Sequence, residues 1–210
     1  MFITLEGIEG SGKTTQVVHI VRHLESMGMD CRVTREPGGT QIGQKIRALL
    51  LDPRNQGLDP LAELLLYMAD RAQHIREIIE PGLKAGKTVI CDRYFDATIA
   101  YQGYARQLDT TLLHTLHRLL FTELTPNITL LLDLPPEIGL ARAWEQIHDG
   151  RREDTETRFE KEALEFHERV RAGYLALAHR EPERFRIIDA ARDAQQVTRQ
   201  IIDTLSSILP

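Results

Sequence analysis

The sequence predicts an α/β fold in three layers, a five-stranded parallel sheet with helices on both faces, and two observations predict it. One is a glycine-rich stretch, Gly7-Ile8-Glu9-Gly10-Ser11-Gly12-Lys13-Thr14, set between a strand-like run and a helix-like run. The other is the alternation of short apolar runs with longer segments of helical periodicity, the pattern of parallel strands joined by crossover helices. At 210 residues the chain reads as one domain, long enough to bury a substantial core.

Phe2-Ile3-Thr4-Leu5 reads as a buried strand and Thr15 to Leu24 as a helix. The loop between them matches G-x-x-x-x-G-K-[ST]. Its glycines let backbone N–H groups turn inward around a phosphate, and the next helix adds the positive end of its dipole. Lys13 is then placed to neutralise outer phosphates and the Thr14 hydroxyl to hold Mg²⁺. The chain is therefore expected to have a P-loop fold, with Gly7, Ile8, Glu9, Gly10, Ser11, Gly12, Lys13, Thr14 and Thr15 around the phosphates of a nucleotide.

Cys31 to Thr34 is a second strand, broken sharply by Arg35-Glu36-Pro37-Gly38-Gly39-Thr40. Loops at the C-terminal ends of such strands line the ligand crevice. Arg35 and Glu36 are site candidates on that ground, with plain turn residues as the other reading. A helix from Gln41 to Leu51 carries Arg47 and stops at Asp52-Pro53. From Pro60 to Glu80, the residues Leu61, Leu64, Leu65, Met68, Ala72, Ile75 and Ile79 keep helical spacing, with Tyr67, Arg71 and His74 bordering the stripe. Tyr67 and Arg71 are one turn apart, either an aromatic plate and a cationic donor for one planar ligand, or a core-margin tyrosine beside a solvated arginine.

Thr88 to Cys91 forms a strand that delivers Asp92-Arg93-Tyr94. Asp92 can reach Mg²⁺ beside the phosphate loop and Arg93 a second phosphate, unless the two form a structural pair. Phe95 to Gly103, a short helix or loop, carries Thr98, Tyr101 and Gln102, and Leu112 to Leu120 gives an amphipathic helix. Ile128 to Leu132 is the fourth strand; it ends at Asp133, a rival metal-side carboxylate, and Leu134-Pro135-Pro136 opens the next helix. Residues 142–161 mix Arg142, Arg151, Arg152, Arg158 and Lys161 with acidic side chains and a His148-Asp149-Gly150 break, either a solvated face or a hinged lid over phosphates. Glu160 to Leu177 resumes as helix, Phe185 to Ile188 is the fifth strand, Asp189-Ala190-Ala191 a loop, and Gln195 to Ile208 a closing helix.

A net charge of -5 argues against general affinity for nucleic-acid backbone. No apolar run reaches bilayer-spanning length, and the N-terminal residues lack a leader pattern, so a cytoplasmic protein without a membrane partner is expected. The two cysteines, Cys31 and Cys91, fall on strands and are expected to be reduced. No Asn-Lys-x-Asp stretch supports a GTPase, and arginines at several strand ends need explaining. A kinase whose acceptor is itself a phosphate explains them: Lys13 and the loop hold the donor, and Arg35, Arg47 and Arg93 surround the acceptor. Such an acceptor is already largely ionised and needs no general base. A nucleoside acceptor would need one, with Glu6, Glu9 or Glu36 available, and a non-catalytic nucleotide-binding module remains a third reading.

Four stretches in order, Glu6 to Thr15, Arg35 to Thr40, Leu66-Tyr67-Met68-Ala69-Asp70-Arg71-Ala72-Gln73, and Asp92-Arg93-Tyr94 with Ala100-Tyr101-Gln102-Gly103, resemble the bacterial thymidylate kinase family. The resemblance covers essentially the whole chain. It implies transfer of the ATP γ-phosphate to dTMP with Mg²⁺, and a homodimer. By matching position it implies that Tyr67 stacks on thymine, that Arg71 donates to a thymine carbonyl, and that Thr98 and Gln102 complete the base contacts. It further implies that Tyr101 crowds the ribose 2′ position, that Glu9 approaches the sugar 3′-hydroxyl, and that Arg142 with Asp189-Ala190 flanks adenine. This chain departs from the family at Tyr67, often Phe, at Ala97, often Ser, and at Thr157-Arg158-Phe159-Glu160, where an Asp usually leads. Its phosphate loop carries acidic Glu9 where some relatives place a basic residue, so the catalytic arginine is expected from the lid, as Arg152 or Arg158 beside Lys13 and Arg93.

Overall fold

The computed structural model describes residues 1–121, 124–150 and 154–209. Five parallel strands form one sheet: β1 Phe2–Glu6, β2 Cys31–Arg35, β3 Thr88–Asp92, β4 Ile128–Asp133 and β5 Phe185–Asp189, in the order β2-β3-β1-β4-β5. The middle strands β1, β3 and β4 are buried almost throughout, as near-continuous apolar runs should be when helices cover both faces, whereas the edge strands β2 and β5 keep exposed positions.

The helices are α1 Lys13–Ser26, α2 Gln41–Leu51, α3 Pro60–His74, α4 Glu80–Lys84, α5 Phe95–Thr98, α6 Thr110–Phe121, α7 Pro136–His148, α8 Leu164–Arg180 and α9 Ala194–Ile208. Thr40 caps α2 by accepting from the Gly43 N–H, and Asp59 caps α3 through the N–H groups of Leu61 and Ala62. The expected helix from Pro60 to Glu80 is longer than its periodicity indicated. A π-helical turn, Ile75–Ile79, continues α3 into α4, where the Glu80 N–H reaches back to Ile75 O and Pro81 needs no donor of its own.

Phe95 to Gly103 is helical throughout, because α5 runs on into a second π-helical segment, Ile99–Ala105, that buries Tyr101 and Gln102. The largest departure is at the start of α8, which begins at Leu164 and not at Glu160. Thr157, Arg158, Phe159 and Glu160 form a buried turn instead, so this part of the mixed-charge segment is no solvated face. Arg151 and Arg152 lie outside the described residues. Among the described residues, no helix is long and apolar enough to cross a membrane.

Candidate active site

Register brings the site together at the C-terminal edge of the sheet. Leu5 on β1 and Arg35 on β2 both pair with Asp92 on β3, so the three loops that follow emerge at one level. The Glu36 N–H donates to Asp92 O at 2.9 Å and the Arg93 N–H to Leu5 O at 3.0 Å, carrying the strand register into the loops.

The phosphate loop takes φ of 138° at Gly7, 67° at Gly10 and 89° at Gly12, a path that only glycine follows without strain. The approach of α7 is as demanding: a Cβ on Gly10 would stand 1.9 Å from Gly139 O, and one on Gly139 2.5 Å from Glu9 O. Lys13 is buried and curls over its own loop, donating to Gly7 O at 3.0 Å, Ile8 O at 2.9 Å and Ser11 Oγ at 3.1 Å. Burial, and then Arg93, push its ammonium down to about 8. Thr14 Oγ1 stands 3.5 Å from Asp92 Oδ2, two hard oxygen donors of the kind Mg²⁺ takes beside phosphate. The rival carboxylate, Asp133, is instead clamped by Arg171 at 2.7 and 2.8 Å.

A cleft runs from Gly10, Ser11, Gly12, Lys13, Thr14 and Thr15 to a second chamber. It gathers every acceptor-side residue the sequence indicated: Glu9, Arg35, Glu36, Pro37, Arg47, Tyr67, Arg71, Arg93, Thr98, Tyr101 and Gln102. Arg71 is no solvated arginine. It is buried, donating from Nε to Glu36 Oε2 at 2.8 Å and from Nη2 to Thr98 Oγ1 at 2.9 Å, while Nη1 has no hydrogen-bond partner among the described residues. Burial works against the Glu36 carboxylate, but Arg71 and His74 outweigh it and hold its pKa below the usual range. The Tyr67 ring lines the same cleft, with burial and then Glu63 pushing its hydroxyl pKa well up.

Arg93 adopts a left-handed φ of 69°. Its Nη2 donates to Glu9 Oε1 at 2.9 Å, its Nη1 to the Tyr174 hydroxyl at 3.3 Å, and its guanidinium lies 4.9 Å from the Tyr101 ring centroid. The Tyr101 hydroxyl donates to the same Glu9 oxygen at 2.6 Å. Burial alone would raise the Glu9 carboxyl; Arg93, His167 and Tyr101 together hold it far below the usual carboxylate range. Strain at Arg93 is thus held by partners on three sides.

Two expectations meet different geometry. Arg158, expected over the phosphates, is buried away from the cleft lining, bonded to Leu50 O and at 2.7 Å to Glu63 Oε2. Glu63 also accepts from Gln102 Nε2 at 2.8 Å, so this carboxylate pulls Arg158 inward. Arg142 and the Asp189-Ala190 loop do meet, Arg142 Nη1 donating to Ala190 O at 2.7 Å, but outside the cleft lined by the phosphate loop. Gln16 Nε2 on α1 joins the two regions by donating to Ala194 O at 3.1 Å.

Sequence reasoning missed Glu63, Gly139, His167 and Tyr174. Only Gly139 carried a signal, since glycine inside a helix costs about 1 kcal/mol against alanine and usually marks a close approach.

The chain is similar to known proteins over nearly its full length. The thymidylate kinase family profile matches residues 5–201. A thymidylate kinase of Desulfosudis oleivorans is 58% identical over 208 residues, covering 99% of this chain and 97% of that protein. One of Desulforapulum autotrophicum is 55% identical, covering 98% and 91%. The crystal structure of thymidylate kinase from Ehrlichia chaffeensis superposes with a TM-score of 0.76 at 36% identity, covering 98% of both chains. With the phosphate loop, the arginine-rich second chamber and full-length likeness in one chain, this protein belongs to the thymidylate kinase family.

Proposed function

We propose that this chain phosphorylates dTMP to dTDP with ATP, the phosphate loop holding the donor and the second chamber the acceptor. The observation that carries the acceptor assignment is Arg71: a buried guanidinium whose Nη1, with two N–H donors, is unpartnered among the described residues, one helical turn from Tyr67, both lining the cleft. A planar base bearing a carbonyl accepts from that group and stacks on the tyrosine ring.

In this reading Thr98 and Gln102 complete the base site, Tyr101 crowds the sugar 2′ position and Glu9 meets the 3′-hydroxyl. Arg35, Arg47 and Arg93 surround the acceptor phosphate, with Glu36 and Pro37 shaping the wall. A dTMP phosphate oxygen attacks the γ-phosphorus, the bond to the bridging oxygen breaks, and ADP leaves with that electron pair. Lys13 and Arg93 neutralise the charge, and no general base is required. Mg²⁺, held through Thr14 and Asp92, would neutralise the donor phosphates when bound. Arg142, Asp189 and Ala190 flank the adenine. Lid arginines Arg152 and Arg158 remain candidates for charge stabilisation, Arg158 only after leaving Glu63.

We also propose one domain with a lid about 142–161, a cytoplasmic setting and a homodimer. Exposed Leu112, Leu119 and Leu120 on α6, with Leu61 and Leu65 on α3, support a paired surface. Coupled ATP turnover across dTMP, dUMP, UMP, dCMP, dGMP and thymidine tests the acceptor. Preference for dTMP is expected; preference for thymidine would demand a base and overturn the reading.

A further inference from the structure

His167 has no place in the chemistry above, yet it is wholly enclosed on α8. Its Nε2 lies 3.1 Å from the Phe159 carbonyl, on the buried lid turn. Its Nδ1 lies 3.3 Å from Glu9 Oε2 on the phosphate loop. Neither Nδ1 nor Oε2 has a hydrogen-bonding partner among the described residues, so the two face each other as an ion pair, the other Glu9 oxygen serving Arg93 and Tyr101.

The tautomer follows from the partners. A carbonyl oxygen only accepts, so Nε2 must carry a hydrogen to bond Phe159. A neutral ring would then turn a bare Nδ1 lone pair toward a carboxylate oxygen, which is repulsive. An imidazolium has a donor for each partner. The charged groups facing the ring are consistent with that form. Glu9 and Glu160 favour the cation, the Phe159 carbonyl accepts from it, and Arg93 and Tyr101 lie beyond Glu9, whose ionised form Arg93 maintains. Burial alone would lower the His167 pKa, but these partners raise it above the usual histidine value.

We propose that His167 is a positioning residue for the phosphoryl acceptor: as an imidazolium it ties the Phe159 carbonyl of the lid turn to the Glu9 carboxylate, and so sets the carboxylate that meets the acceptor sugar. The proposal rests on the reading that Glu9 contacts the 3′-hydroxyl. Deprotonation at Nδ1 leaves the Nε2 bond to Phe159 in place but frees Glu9 Oε2, so acceptor affinity falls as pH rises.

The test compares dTMP with 3′-deoxythymidine monophosphate as acceptors in wild type, His167→Gln and Glu9→Gln, across about pH 6 to 9 at saturating ATP. Wild type is expected to prefer dTMP in kcat/KM, less so as pH rises. His167→Gln should lose about tenfold of that preference through KM, with kcat at saturation little changed, and should flatten the pH dependence. If Glu9→Gln erases the preference while His167→Gln keeps both preference and pH profile, the positioning role is overturned. If Glu9→Gln leaves the preference intact, the Glu9–sugar reading fails instead. Should His167→Gln not fold, ¹⁵N shifts of histidine rings in the wild-type enzyme with dTMP decide. A doubly protonated His167 near neutral pH is expected, and a neutral tautomer overturns the proposal.

Discussion

Arg47 meets Glu156 fork to fork, Nε donating to Oε1 at 2.8 Å and Nη2 to Oε2 at 2.6 Å, so a lid carboxylate sits where an acceptor phosphate is proposed to bind. A carboxylate offers the same paired oxygens as a phosphate edge. Acceptor and Glu156 therefore compete for one guanidinium. The pair is partly exposed and its net worth is modest, so Glu156→Gln is expected to tighten dTMP binding by about two- to fivefold. Calorimetric titration checks it; unchanged or weaker binding would exclude the competition.

Tyr67 and Arg71 line one wall but should fail differently. Tyr67→Ala removes a stacking face worth about 1–3 kcal/mol, so dTMP affinity should fall at least fivefold while the melting temperature changes little. Arg71→Ala also leaves Glu36, a buried carboxylate, with His74 as its remaining partner, and should cost about 2–4 kcal/mol of folding stability besides acceptor binding. Denaturant unfolding of both variants separates the two; a stable Arg71→Ala would contradict the burial argument.

The Arg158–Glu63 pair gives another contrast, since both side chains are almost fully enclosed. Glu63 keeps Gln102 and Arg106 as partners, so Arg158→Ala should cost about 2–4 kcal/mol of stability, below the loss for an unpartnered charge. A direct role in transfer predicts the reverse: turnover falling by more than about tenfold with stability intact. Unfolding and single-turnover rates on one preparation distinguish the two roles.

Glu6 ends β1 among buried groups, accepting from the Tyr94 N–H and the Tyr174 hydroxyl at 2.8 Å each. Burial, and then Asp96, push its carboxyl from 4.5 up to about 8. The folded state therefore binds this proton more tightly than the unfolded chain does, and stability falls as pH rises from about 4.5 to about 8. Asp70, pushed up to about 6 by burial and then Glu36, adds the same slope at lower pH only. Glu9 runs the other way, its contribution present above the ordinary carboxylate range and lost on acidification. Glu6→Gln should thus flatten the stability decline between about pH 6.5 and 8, which unfolding across that range would reveal. A decline as steep as wild type would assign the slope to another group.

The fold was legible because its signals are local. Strand–loop–helix order at Gly7 to Thr14 and the apolar runs in β1, β3 and β4 depend only on neighbours in sequence. Arg35, Asp92 and Arg93 were legible for the same reason, as residues that end strands. What stayed hidden was long-range. The π-helical turn before Pro81 arises from hydrogen-bond geometry and not from periodicity. Arg158 reads as a solvated lid cation until Glu63, 95 positions away, is seen beneath it. His167 reads as one more helical residue until Glu9 and Phe159 are placed on either side of it.

Gly139 supplies a last test of such long-range control. It lies within α7, contacts no proposed substrate group, and interlocks with the phosphate loop through reciprocal close approaches to Gly10 and Glu9. A methyl at residue 139 meets the Glu9 carbonyl, a backbone atom that cannot rotate aside, so either α7 or the loop must shift. Helix propensity alone would make Gly139→Ala stabilising by about 0.5–1 kcal/mol. The two effects separate by ligand. If the loop yields, ATP affinity should fall by at least about tenfold, because backbone N–H groups aimed at phosphate lose their alignment. Of the proposed acceptor contacts only Glu9 lies on the loop, the others coming from the β2 end and the loop after it, α2, α3 and the segment from the end of β3 onward, so dTMP affinity should change less. Titration of each nucleotide against Gly139→Ala measures both. Equal loss for both would mean that α7 supports the whole cleft, and unchanged ATP binding would mean that α7, not the loop, gives way.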